Sequence, residues 1–327
     1  DLWADDDLSP AAVMTLGESP LLLSARAAVA ELWSTERTEE SGADGREETV
    51  TEPVEETPLE TTGETDNGVP ARTLVPTDPS GYTVCGRSYI SNSTDHALTV
   101  TELSEPFDAR LADGEPQILI LHTHGSEAYT PDGTDIYEPS DNNTRTLDEN
   151  YNVVRVGDEM ERVFTELGLT VVHDRTLYDY PKYNGAYDRS AEAVQRYLEQ
   201  YPSIKIVLDV HRDALVGEDG TVYKAVTRID GVDTAQVMLV LGSSEGGEHP
   251  NWMQNLSLAC RIQESMNTLY PTLARPMTMR SSRYNQQLSN GSLLVEVGTH
   301  GNTLQEALAG ARLFARAAGQ VLLGLKE

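Results

Sequence analysis

The chain has 327 residues, of which 39% are hydrophobic, and carries a formal net charge of −29. Its length suits one large α/β domain with appendages. The negative charge argues against nucleic acid as a partner, because binding to a phosphate backbone needs Lys and Arg to release counterions. Its two cysteines, Cys85 and Cys260, are too few for a disulfide framework or a thiolate metal site. They form either one bridge in an exported protein or two buried thiols.

Residues 1–81 are predicted to form a separate N-terminal region. Residues 1–76 hold eighteen acidic and four basic side chains. Within them, residues 36–66 hold twelve acids and two arginines, a composition that buries too little apolar surface to fold. We therefore expect a largely disordered acidic tether, with order beginning near Tyr82. No run reaches the roughly 18 apolar residues of a membrane span. Because the sequence begins at Asp1 without methionine, we expect that an N-terminal targeting or anchoring segment has been removed.

Residues 82–327 are predicted to form one domain, a mostly parallel sheet flanked by helices. Short apolar runs alternate with helical patterns, as in successive βαβ units. An edge strand or hairpin is expected to open the domain at residues 82–94. The expected later strands cover residues 116–125, 169–174, 203–211, 222–229, 235–242 and 292–298. The expected helices cover residues 150–167, 191–201, 255–269 and 303–323.

Three predicted strands end in reactive polar groups. One runs into His122 and the segment up to Glu127, one into His211, and one into Glu296. The carboxyl ends of parallel strands meet at one edge of the sheet, where ligands and catalytic groups gather. We therefore expect these side chains to lie close together.

Two histidines and a carboxylate are the ligands of a catalytic zinc ion, which keeps one position open for water. We assign His124, Glu127 and His211 to that role. Glu296 is the candidate that accepts the proton of the water and passes it to the leaving nitrogen. His122 competes with His124, since strand alternation sends both side chains the same way. The other histidines expected to be exposed or capping are His96, His173 and His249.

Several further residues are candidates for substrate contact. Arg212 follows the His211 ligand directly, and Arg283 and Asn285 lie in a polar segment before the Glu296 strand. The arginines would bind a carboxylate of the substrate or stabilise the oxyanion. A solvated loop is the alternative interpretation of residues 281–291. His300 either lines the pocket or closes a turn.

Four segments carry a resemblance to a known family. They are SYISNSTD at 88–95, ILILHTHGSEAYTP at 118–131, VLDVHRDA at 207–214 and SLLVEVGTHGNTLQEA at 292–307. Over residues 82–325 the sequence resembles the stage II sporulation protein P family. That resemblance implies a fold similar to the zinc N-acetylmuramoyl-L-alanine amidases. It also implies peptidoglycan as substrate, zinc as cofactor, and a role in septal wall degradation during engulfment of the forespore.

By the same resemblance, the enzyme would release stem peptides from glycan and also cut peptide cross-links. Its partners would be the sporulation transglycosylase, stage II protein D, and the membrane protein M. The native protein would be anchored in the membrane and act outside the cytoplasm, between the septal membranes. The acidic N-terminal stretch would then act as a tether.

Two alternatives remain open at this stage. Related amidases take the carboxylate ligand from the start of the first helix, which here corresponds to Asp148 or Glu149, whereas zinc carboxypeptidases use His-x-x-Glu and favour Glu127. The rival functions are a non-catalytic scaffold that binds the cell wall, and a zinc peptidase that acts only on stem peptides.

Overall fold

The structure is a computed structural model that describes residues 67–99, 103, 105–131 and 144–326. The prediction of an acidic tether therefore falls mainly on residues that lie outside the described ones. Within the described residues, no helix combines the length and the apolarity needed to cross a membrane.

Eight strands form the main sheet. They are β2 (Thr83–Cys85), β3 (Ser88–Asn92), β4 (Ile118–Leu121), β5 (Val171–His173), β6 (Ile206–Asp213), β9 (Val237–Leu241), β10 (Met277–Met279) and β11 (Gly291–Thr299). Their order across the sheet is β2-β3-β10-β9-β11-β6-β4-β5. Only the pairs β2–β3 and β9–β11 are antiparallel, and the other neighbours are parallel. The prediction of a mostly parallel sheet is confirmed.

In the part of the chain that the structure describes, four α-helices flank this sheet: α1 (Val153–Glu166), α2 (Ala186–Gln200), α3 (Trp252–Leu269) and α4 (Leu304–Leu323). Two short 3-10 turns cover Ser244–Gly246 and Gln286–Leu288. Helix α1 begins after Asn152, whose side chain accepts a hydrogen bond from the Val154 amide, and Gly168 follows its end at a φ of 79°. Helix α4 begins with a capping box between Thr303 and Glu306. These are ordinary helix start and stop signals.

The strands are buried on both faces, which gives three layers. In β4, Ile118 and Ile120 belong to the large core shared with α1, α3 and α4, whereas Leu119 and Leu121 face the smaller core formed with α2. Continuous apolar runs are typical of parallel strands covered on both sides. In β6, alternation places Val210 in the large core. Its neighbours Asp209 and His211 therefore face the α2 side.

A second, three-stranded sheet contradicts the expected start of order at Tyr82. It contains β1 (Ala71–Arg72), β7 (Lys224–Ile229) and β8 (Val232–Ala235), in the order β1-β7-β8. The Leu74 amide also donates to Gln236 Oε1 over 2.6 Å. Residues 71–74 are therefore part of the folded body. They are held by partners far away in sequence, which local composition cannot reveal.

Candidate metal centre

The neighbouring parallel strands β4, β6 and β11 bring the predicted residues to one edge of the sheet. Strand β6 lies between the other two, and Glu296 is paired in register with His211. Paired residues of neighbouring parallel strands point to the same face of the sheet, so both side chains lie on the α2 side. His124 and Glu127 follow the end of β4 within a turn.

The three predicted zinc ligands form a buried cluster. Their nearest ligand atoms all lie within 4.8 Å of one another. Glu127 Oε1 lies 3.6 Å from His124 Nδ1, and Glu127 Oε2 lies 3.3 Å from His211 Nδ1. All three residues are at most 5% exposed. Two imidazoles and one carboxylate that converge in a buried pocket fit a tetrahedral zinc ion with one open position.

Backbone contacts hold the Glu127 carboxylate in place. The Glu127 amide donates to the His124 carbonyl over 3.1 Å, which closes the turn between the two side chains, and the Val153 amide at the start of α1 donates to the Glu127 carbonyl. The Arg212 amide donates to Glu127 Oε2. Burial opposes the charge of Glu127, but Arg212, His124 and His211 together hold its pKa well below the usual value. The carboxylate is therefore ionised, as a metal ligand must be.

His211 lies between two carboxylates. Its Nδ1 atom faces Glu127, and its Nε2 atom lies 2.9 Å from Asp209 Oδ1. That second contact is an electrostatic one, because the Nε2 atom is not aligned for a hydrogen bond. Asp209 is itself fixed by the amide and hydroxyl of Thr123. A carboxylate behind a ligating histidine orients the ring and strengthens it as a ligand.

These carboxylates also control the protonation of His211. Burial opposes the imidazolium form, but Asp209 and Glu127 raise the pKa of His211 well above its usual value. Without a metal ion, the ring is therefore held as a cation between two anions.

The structure separates His124 from His122. Strand β4 ends at Leu121 and a turn begins, so the alternation expected for a strand does not continue. His122 Nδ1 donates to the Val210 carbonyl over 2.9 Å, and its Nε2 atom lies 2.8 Å from His173 Nε2. Burial and the neighbouring His173 lower the pKa of His122 to about 3. His122 is thus neutral and lies outside the cluster of His124, Glu127 and His211.

Asp148 and Glu149 also lie outside the ligand cluster. Both are exposed, and Asp148 Oδ1 accepts hydrogen bonds from the amide and the side chain of Asn150. They belong to the turn that precedes α1. Among the predicted carboxylates, only Glu127 lies beside the two histidines.

Glu296 presents a carboxylate oxygen without a protein partner. Its Oε2 atom is buried and makes no hydrogen bond in the described part of the chain. Burial and the nearby Asp213 carboxylate raise its pKa to about 8, although His211 opposes this. A carboxyl group that can gain or lose a proton near neutral pH suits a proton shuttle.

The three candidate substrate residues have different surroundings. Arg212 is buried and its Nε atom donates to the Ala128 carbonyl. Arg283 donates to the Glu248 carbonyl over 3.2 Å. The Asn285 side chain donates to the Tyr187 carbonyl over 2.7 Å and to Ser190 Oγ over 3.1 Å, so it ties the loop before β11 to α2. Their roles in substrate binding remain predictions.

Two of the histidines expected to be exposed or capping are buried. The His173 side chain is inaccessible and faces Asp158 and Glu161 at 3.3 and 3.2 Å. His249 is 2% exposed. Polar neighbours in the sequence wrongly suggested that these side chains are exposed. His173 is buried because it ends a strand that helix α1 covers. His300 is also buried, and its Nδ1 atom has no hydrogen-bond partner among the residues that the structure describes. Burial together with Arg212 lowers the pKa of His300 to about 4.

Sequence analysis missed an aromatic and cationic cover over the ligands. The Tyr183 ring stacks on His124 with centroids 4.5 Å apart, and Tyr187 meets His124 edge-on at 5.4 Å. The Arg145 guanidinium lies over the Tyr183 ring, 4.9 Å from its centroid, and 3.5 Å from Glu127 Oε1. It also pairs with Asp179 at 2.8 Å. The tyrosines in the YNGAY segment were the available signal, since Tyr183 lies just before α2 and Tyr187 lies in its first turn.

Comparison with known proteins places the chain in a family. The model of the family "Stage II sporulation protein P" matches residues 23–319. The chain belongs to this family. It is also 26% identical over 200 residues to the stage II sporulation protein P of Bacillus subtilis (strain 168), an alignment that covers 58% of this chain and 47% of that protein. The chain therefore spans about half the length of this relative.

Two solved structures illustrate the wider similarity. The CwlD amidase from Clostridioides difficile, in complex with the GerS lipoprotein, is 16% identical with a TM-score of 0.40, over 64% of this chain and 98% of that one. The N-acetylmuramoyl-L-alanine amidase AmiC2 of Nostoc punctiforme is 14% identical with a TM-score of 0.37, over 65% and 97%.

Proposed function

We propose that this protein is a zinc-dependent hydrolase that cleaves the N-acetylmuramoyl-L-alanine amide bond of peptidoglycan. The observation that carries the proposal is the buried cluster of His124, Glu127 and His211 beside Glu296, whose Oε2 atom has no hydrogen-bond partner among the described residues. Such a set contains a three-ligand metal site and a separate proton carrier, which are the parts that metal-assisted amide hydrolysis requires. A scaffold protein would need neither.

Each residue has a distinct proposed role. His124, Glu127 and His211 would hold zinc, which supplies an activated water and polarises the scissile carbonyl. Asp209 keeps the His211 ring oriented through its contact with Nε2. Glu296 accepts a proton on a carboxylate oxygen and delivers it to the leaving nitrogen. Arg212 and Arg283 are proposed to bind a stem-peptide carboxylate or the oxyanion, and Asn285 to support the substrate-facing loop.

Membership of the family supports the biological setting. We propose that the protein degrades septal peptidoglycan during engulfment, outside the cytoplasm and anchored to the membrane by a preceding segment. Its proposed partners are the stage II sporulation proteins D and M. Cleavage of peptide cross-links is proposed as a second activity of the same site.

The test is the zinc content of the purified protein together with digestion of purified peptidoglycan. His124→Ala and His211→Ala should lose both zinc and activity, whereas Glu296→Ala should keep zinc and lose activity. His249→Ala is the matched control, because it removes a buried histidine that is not a ligand and should leave the zinc content unchanged.

The products of digestion separate the rival functions. An amidase leaves lactyl-ended glycan without alanine, whereas a zinc peptidase leaves the first alanine attached to the glycan. A parent protein that binds no zinc, or that leaves the wall intact even with protein D present, would support the scaffold function instead.

A further inference from the structure

The β2–β3 hairpin lies directly on helix α3. Its two-residue turn begins at Gly86, whose φ of 57° suits a glycine at the first turn position. Gly86 lies so close to the helix that a β-carbon would come within 2.6 Å of Glu264. The next residue, Arg87, accepts a hydrogen bond at its carbonyl from the Asn267 side chain over 2.6 Å. The hairpin and the helix are therefore held in a fixed arrangement.

This arrangement brings Cys85 towards Cys260. Cys85 and Ser88 are directly paired across the hairpin, so their side chains point to the same face with β-carbons about 4.5–5.5 Å apart. The Ser88 hydroxyl donates to the Cys260 carbonyl on α3 over 2.8 Å. Since Ser88 faces Cys260, its partner Cys85 faces the same turn of the helix.

Burial supports this placement. Cys260 belongs to the large core, and the partly buried Cys85 packs against that core. Burial and the neighbouring Cys85 thiol raise the pKa of Cys260 to about 12. Both residues carry thiols in this structure, and Cys85 is the more accessible of the two.

We propose that Cys85 and Cys260 form an intramolecular disulfide when the protein meets a disulfide oxidant, and that this bond fastens the edge hairpin to α3. The accessible Cys85 sulfur first attacks the oxidant, forms a mixed disulfide and releases one thiol. Cys260 then gives up its proton and attacks the Cys85 sulfur, which expels the second thiol of the oxidant. The protein loses two electrons and two protons, and the oxidant is reduced to two thiols.

The experiment uses oxidised glutathione on the purified protein at pH 8.5, because the high pKa of Cys260 slows the second step at neutral pH. The protein is then denatured, alkylated and weighed intact. We expect two alkyl groups on the reduced protein and none on the oxidised monomer, with a cross-linked peptide that contains both cysteines after digestion. The oxidised protein should also have the higher melting temperature, since the bond joins residues far apart in sequence.

Two variants control the result. Cys260→Ala should stop at the glutathione adduct of Cys85, and Cys85→Ser should keep an alkylatable Cys260 and show no melting shift with oxidant. The proposal is overturned by a wild-type protein that retains the glutathione adduct with Cys260 still alkylated, or that forms disulfide-linked dimers. This outcome is independent of zinc and of cell-wall cleavage, so the proposed function stands or falls separately.

Discussion

Replacing Glu296 by Gln should make the metal-free protein more stable while it removes activity. The Oε2 atom of Glu296 is buried without a hydrogen-bond partner, so ionisation of this group is costly in the folded state. The buried surroundings raise the pKa of Glu296 from its ordinary value of 4.5 to about 8. The folded state therefore binds more protons than the unfolded chain between these two pH values, and stability falls as the pH rises through this window.

The size of the effect follows from the same shift. Each pH unit above 4.5 lowers the free energy of unfolding by about 1.4 kcal/mol until the folded-state pKa is reached. At pH 7 the stability gained by the Gln variant therefore has an upper limit of roughly 3 kcal/mol. The residue is only half-buried as a whole, and solvent reduces the penalty, so we expect about 1–3 kcal/mol. Glutamine cannot ionise and avoids this penalty. The gain should shrink towards zero near pH 4.5, where the parent carboxyl group is protonated in both states.

The assay is urea unfolding in the presence of EDTA at pH 5 and pH 7.5. Glu306→Gln is the matched control, because Glu306 is also buried but pairs with Lys224 at 2.8 Å and with Asn302. That variant should lose at least about 1.5 kcal/mol at both pH values. If Glu296→Gln is no more stable than the parent at pH 7.5, or gains equally at both pH values, the reasoning about a buried unpartnered carboxyl group is refuted.

Three further predictions concern the ligands and the fold. Asp209→Asn should weaken zinc binding by about 10–100-fold in a competition titration. Asp213→Asn is the control, because Asp213 lies on the same strand but pairs with Arg275, and it should leave zinc affinity unchanged. Equal losses of affinity in the two variants would contradict the orienting role of Asp209. Zinc binding should tighten about tenfold per pH unit while His211 remains protonated, because a proton must leave the ring, and calorimetry in two buffers should detect its release. Thr303→Ala should cost about 1 kcal/mol of unfolding free energy, whereas Thr303→Ser should keep the cap.

Most strands of the main sheet could be predicted because they carry complete local signals, whereas the three-residue β10 was not predicted. β4, β6 and β11 are short apolar runs that end in polar residues, and all three lie where the pattern placed them. Helix α1 and helix α4 were also recognisable, since Gly168 and Thr303 are strong stop and start signals. Helix α2, in contrast, begins at Ala186, five residues before the predicted start, because its first turn is polar and has no side-chain cap.

In the small sheet, β7 lies within the strand predicted at residues 222–229, but β1 and its pairing with β7 could not be predicted from the same signals. β1 has only two residues, and its partner β7 lies more than 150 positions later. Residues 67–81 hold a single acidic side chain, Asp78, so they differ in composition from the acidic stretch before them, but a two-residue strand is too short to show a period of its own. Pairing at this distance is decided by tertiary contacts, such as the one between Leu74 and Gln236, and these leave no periodic trace in the sequence.

Which of His122 and His124 lies in the ligand cluster could not be predicted from the sequence. Alternation treats both as members of one strand, but the strand ends at Leu121 and the turn sends the two rings in different directions. His122 contacts His173 on the neighbouring strand β5, and His124 contacts Tyr183 before α2. Each ring is thus placed by a partner from a different part of the chain. A ligand set can be proposed from chemical type and strand order, but the identity of each ligand depends on these distant contacts.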